Sequence, residues 1–159
     1  MDIKDFLQKN ALKCIAASFV LGVAVCGVGA AFNAVSATPA FCGTCHAMKE
    51  PKAAFMESTH REQNCTECHL PHQNAAIYMI TKAQTGVVDA YHETLRDYPA
   101  VIRLSADAKQ TVNDNCLRCH SATMEKVHAS VDSADANCLK CHNKVAHGSY
   151  HAGGGIKVE

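Results

Sequence analysis

The chain is 159 residues long, 48% of them hydrophobic, and its 15 Lys and Arg are matched by 15 Asp and Glu. A formal net charge of zero, with no basic block longer than a residue or two, excludes the electrostatic footprint of a nucleic-acid binder. Ten cysteines and ten histidines in so short a chain point instead to covalent or metal chemistry.

Residues 14–35 (CIAASFVLGVAVCGVGAAFNAV) form the first element in chain order. No Lys, Arg, Asp or Glu occurs from Cys14 to Met48, and a helix needs about 20 apolar residues to cross the hydrocarbon core. A secretory signal peptide is the rival reading, because Val35-Ser36-Ala37 suits a cleavage site and Lys4, Lys9 and Lys13 make a positive n-region. Signal h-regions run to about 7–15 residues and this run is longer, so an uncleaved anchor is expected. The three lysines against Asp2 and Asp5 place the tail on the cytoplasmic side. Residues 1–37 then comprise a cytoplasmic tail and transmembrane anchor in the cytoplasmic (inner) membrane, and residues 38–159 a periplasmic domain. Gly22, Gly27 and Gly29 either let another helix pack closely or are ordinary small residues of a membrane helix. Cys14 and Cys26 lie within this apolar run and read as small packing hydrophobes.

The other eight cysteines fall into four C-x-x-C-H motifs: Cys42, Cys45 and His46; Cys65, Cys68 and His69; Cys116, Cys119 and His120; Cys138, Cys141 and His142. A disulfide framework or a pair of zinc sites would use the cysteines but leave the recurrent histidine unexplained. Thioether attachment of haem uses both, so four covalently bound c-type haems are expected. About 120 residues enclosing four porphyrins leave little room for sheet, so the outer domain should be mainly α, with short helices and loops and little or no strand. The motifs pair as two di-haem units, about 38–72 and 110–151, related by a shift of 73 or 74 residues, which suggests duplication.

Between the pairs, residues 75–97 read as the longest helix outside the membrane, closing before Pro99. Tyr78, Lys82, Thr85 and Asp89 fall on one face. That row is either a solvated stripe on a haem-packing helix or a lipid-boundary face offering Lys82 and Asp89 to a lipid-borne substrate.

One N-terminal anchor followed by four C-x-x-C-H motifs in two pairs, the first being C-x-x-C-H-x-M, resembles the NapC/NirT family of membrane-bound tetrahaem quinol dehydrogenases. The short length is most similar to the group that serves as the small subunit of cytochrome c nitrite reductase. Four haems have eight axial positions, of which the motif histidines fill at most four. The expected distal ligands are His60 and His147, with His128 and His92 behind them, since bis-histidine ligation suits electron transfer. His46 and Met48 are too close in sequence to clasp opposite faces of one haem and are therefore alternatives on one face. The resemblance favours Met48, with Asp89 or a quinol approaching the open side.

The resemblance also implies oxidation of a quinol, menaquinol in many such bacteria, with electrons passed to a multihaem nitrite reductase catalytic subunit in an oligomeric complex. In that scheme Lys82 stabilises a quinol oxygen and Asp89 accepts a proton. The alternatives are an anchored electron-transfer cytochrome without quinol activity, a quinol dehydrogenase serving a different periplasmic reductase, and a terminal reductase. The last lacks an evident cationic cluster for an anion.

Overall fold

A computed structural model describes residues 3–128, 137–148 and 156–157 and divides the chain into two units, Met1–Ser36 and Ala37–Glu159. In the first unit, helix α1 spans Ile3–Val35, 33 residues. It is locally non-helical at Asn10 (φ −118°, ψ 18°), where the side-chain amide donates to the Phe6 carbonyl at 3.0 Å. The stretch Phe6–Val35, 30 residues, is long and apolar enough to cross a membrane. Its exposed Phe19, Leu21, Val28 and Phe32 form a surface that a lipid environment would cover.

The second unit is mainly α. Helix α2 (Pro39–Cys42) starts where Thr38 accepts the Phe41 N–H and Pro39 takes the first turn, so it ends at the first motif cysteine. A 3-10 turn at His46–Met48 leads into α3 (Lys49–Met56). Helix α4 (Cys65–His69) is the second motif in one helical turn. Helix α5 (Ala75–Leu95) begins with the Asn74 side chain accepting the Ile77 N–H. It ends two residues earlier than the sequence suggests, because Arg96 takes the left-handed conformation (φ 56°) and the Asp97 N–H returns to the His92 carbonyl. Helix α6 (Ala106–His128) is locally non-helical at His120, and α7 (Cys138–Cys141) starts at the Asn137 cap. The second, third and fourth motifs each have both cysteines within one helix, which brings residues three apart to one side, whereas the first runs from the end of α2 to the start of the 3-10 turn. Among the described residues the strand content is one antiparallel pair, β1 (Val101–Ile102) with β2 (Ile156–Lys157).

Among the described residues the buried apolar side chains are Ala37, Ala47, Pro51, Phe55 and Leu70. So small a polypeptide core cannot offset the conformational entropy of ordering the unit. Polar ties hold the second and third motifs together. The buried Asn115 amide on α6 donates to the Cys68 carbonyl at 2.9 Å and the Leu70 carbonyl at 2.8 Å, and the Arg118 guanidinium bonds the Glu67 carboxylate at 2.7 Å. Asn115→Leu orphans two carbonyls and should cost about 1–3 kcal/mol. The expected result is a thermal midpoint several degrees lower with haem content preserved; an unchanged midpoint would show that Asn115 is not the tie between α4 and α6.

Candidate haem sites

The four motifs follow one another in space in the order of the chain. The Cys65 thiol bonds the Cys42 sulfur, and that bond outweighs burial to lower the Cys42 thiol to about 7 while pushing Cys65 up. Burial raises the Cys68 thiol, and the proximity of Cys119 raises it further. Burial pushes Cys116 up to about 11, with Cys138 next among the causes. The Cys138 N–H is received by the Asn113 side chain at 2.8 Å. Within each pair, then, the first cysteine of one motif meets the first cysteine of the next, and Cys68 with Cys119 links the pairs.

Two histidine pairs match the dimensions of an iron site. The His69 and His147 rings have centroids 6.1 Å apart, and so do the His60 and His120 rings. Two metal–imidazole bonds of about 2 Å, with roughly 1 Å more from each nitrogen to its ring centre, give about 6 Å. His147 Nδ1 faces the Pro51 carbonyl at 3.0 Å and must carry the proton there, so Nε2 holds the ring's lone pair. Burial lowers the His147 pKa against the opposing effect of the Pro51 carbonyl and so favours the neutral ring a metal ligand requires. The donor set, paired thiols with paired imidazoles, therefore fits haem.

The remaining histidines divide. His72 Nε2 lies 3.1 Å from the Thr66 carbonyl and so acts as a donor there, unlike a ligand nitrogen. His92 Nδ1 donates to the Asp97 carbonyl at 2.7 Å at the end of α5. His142 is exposed at the end of α7. The side chain of His128, and His151, lie outside the described residues.

Helix α5 brings its polar row to the first motif. The charges of Lys82 and Asp89 both act on the Cys42 sulfur, and burial followed by Glu93 raises the Cys45 thiol. The Lys82 ammonium stands 5.6 Å from the Tyr78 ring centroid, and that ring lies 5.2 Å from the His72 ring. Asp89 is solvent-exposed on one side, yet desolvation by the surrounding protein raises its carboxyl above the ordinary range, with His92 opposing. Thr85 departs from the row: its hydroxyl donates to the Thr81 carbonyl of its own helix at 2.9 Å. Glu93, one turn beyond Asp89, was not singled out in the sequence, although continuing the same face by four residues reaches it. Its carboxylate accepts the His46 N–H at 2.7 Å and the Ala47 N–H at 3.3 Å. Desolvation opposes ionisation of Glu93, but these two bonds with Arg96 and His46 hold its carboxyl below the usual range.

A mainly α unit built on four haem-attachment motifs, following one long apolar helix, defines a multihaem c-type cytochrome. The chain belongs to the NapC/NirT cytochrome c family, whose N-terminal-region model matches residues 6–152. It is 30% identical over 133 residues to the cytochrome c-type protein NrfH of Wolinella succinogenes, covering 83% of this chain and 75% of that one. It is 34% identical over 87 residues to the cytochrome c nitrite reductase subunit NrfH of Nitratidesulfovibrio vulgaris, covering 55% of this chain and 54% of that one. Its fold is similar to a chain in the crystal structure of a cytochrome c nitrite reductase NrfHA complex bound to the HQNO inhibitor. That match has a TM-score of 0.73 at 30% identity and covers 85% of this chain and 90% of that one.

Proposed function

We propose that the chain is a membrane-anchored quinol dehydrogenase that oxidises menaquinol and relays electrons to the multihaem catalytic subunit of a nitrite reductase. Its N-terminus lies in the cytoplasm and its haem unit in the periplasm. The observation that carries this reading is the placement of Lys82 and Asp89, two helical turns apart on α5, beside Cys42 of the first motif. The face of α5 turned away from Asp89 carries exposed Ile77, Ile80, Val87, Val88, Tyr91 and Leu95. Such a stripe suits contact with the lipid boundary from which a quinol arrives. The NrfHA complex containing the structural relative supports the partner.

Cys42, Cys45, Cys65, Cys68, Cys116, Cys119, Cys138 and Cys141 would hold four haems as thioethers. His69 with His147 and His120 with His60 would supply two bis-imidazole sites. Met48, with His46 as the alternative, would serve the first haem and His142 the fourth. Bound haems supply one-electron carriers in series, so the electron pair of a quinol must be divided on entry. The Lys82 ammonium stabilises negative charge on a quinol oxygen as it forms, and the Asp89 carboxylate takes a proton. The raised affinity of Asp89 for that proton makes it a better base than an ordinary aspartate. Asn113, Asn115 and the Arg118–Glu67 pair keep successive motifs in register.

Lys82→Leu should reduce quinol oxidation by the purified protein at least about tenfold with four haems still attached. Unchanged turnover would remove Lys82 from the mechanism. A wild-type protein that oxidises no quinol yet exchanges electrons with a soluble donor would instead be an anchored electron-transfer cytochrome.

A further inference from the structure

The Glu93 contacts bear on how the first motif chooses its ligand. The His46–Met48 turn is 3-10, with about three residues per turn, so side chains two positions apart diverge by about 120°. His46 and Met48 therefore cannot face the same iron from one setting of this turn, and a rotation of the turn would exchange them. The turn closes on itself through the Met48 N–H to the Cys45 carbonyl at 3.2 Å, and the N–H groups of His46 and Ala47 are its leading donors. Both are taken by Glu93, one on each carboxylate oxygen. These are charge-assisted bonds from a residue 47 and 46 positions away, and Ala47 between them is buried. Rotation would break both bonds and unseat Ala47.

We infer that Glu93 is a positioning residue that holds the His46–Met48 turn in one rotation, with Met48 directed to the first haem and His46 kept away from it. The inference rests on Met48 being that haem's ligand in the proposed quinol dehydrogenase. Because Glu93 sits one turn beyond Asp89 on the same helix, it also sets the distance between the first haem and the residues that handle the quinol.

The test is potentiometric titration with electron paramagnetic resonance on the purified four-haem protein and its Glu93→Ala and Glu93→Gln variants. In Glu93→Ala the signal of the first haem should change to that of an imidazole-ligated iron and its potential should fall, since thioether ligation raises haem potentials. The other three haems should be unchanged. Quinol turnover should drop at least about tenfold from misplacement, while electron release from the pre-reduced protein to a soluble acceptor stays normal. Glu93→Gln presents an N–H where one acceptor stood and should shift the same signal, so it decides the matter should the alanine variant fail to assemble. In a Met48→Leu background, Glu93→Ala should add no further change to the first haem. An unaltered signal and potential for the first haem in the assembled variants would overturn the inference. Should the wild-type protein oxidise no quinol, the functional reading falls, and the signal and potential still judge Glu93.

Discussion

Asp89→Asn lowers quinol oxidation by about two to four orders of magnitude, the span expected when a positioned proton acceptor is lost. Steady-state turnover with a water-soluble quinol, at constant haem content, measures it. The pH profile separates this role from a structural one. Desolvation raises the Asp89 carboxyl above its ordinary value of 3.8, so the protonated, inactive form persists to a higher pH than in a free aspartate. Turnover should rise with pH through that shifted value and then level off, and the asparagine variant should lack this limb. The linkage sign agrees: a carboxyl with a higher pKa in the folded state than in the unfolded chain contributes stability below its unfolded value and loses it as pH rises through the folded one. The neutral amide therefore removes a destabilising charge near pH 7, so a lower thermal midpoint is not expected. Full activity in the asparagine variant would dismiss Asp89 as the acceptor.

His147→Ala should convert one haem of four to a high-spin form. The His147 ring, half-buried against Phe55 at 6.1 Å between ring centroids, stands at ligand distance from His69, and alanine cannot replace its nitrogen. Loss of the imidazole raises that haem's potential and turns it into a trap for electrons. For a one-electron carrier, each rise of about 59 mV disfavours onward transfer about tenfold. Added imidazole should restore the low-spin signal. His60→Ala should act likewise on a different haem, because His60 pairs with His120. A His147 variant with no more high-spin haem than the wild-type protein would exclude His147 as the ligand.

What is legible in the sequence is written in local patterns. Four C-x-x-C-H motifs, an apolar run and a row at Tyr78, Lys82 and Asp89 depend on spacings of a few residues, which a helical turn converts directly into shared faces. The family resemblance reached the same architecture through the same motifs. Thr85 shows where spacing stops informing: it has the right phase, but its hydroxyl is spent on its own backbone. The end of α5 shows it again, since the left-handed Arg96 carries no glycine or asparagine signal.

By itself, then, the sequence determined the number of haem-attachment motifs, the apolar helix before them and the polar row of α5, because each is covalent or repeats within a turn or two. Only the tertiary structure decided that His69 faces His147, that His60 faces His120, that the motifs run in chain order, and that Glu93 grips the first of them. Those relations join segments separated by tens of residues. They follow from the angles at which short helices pack and the loops that close between them, quantities to which no local period in the sequence corresponds.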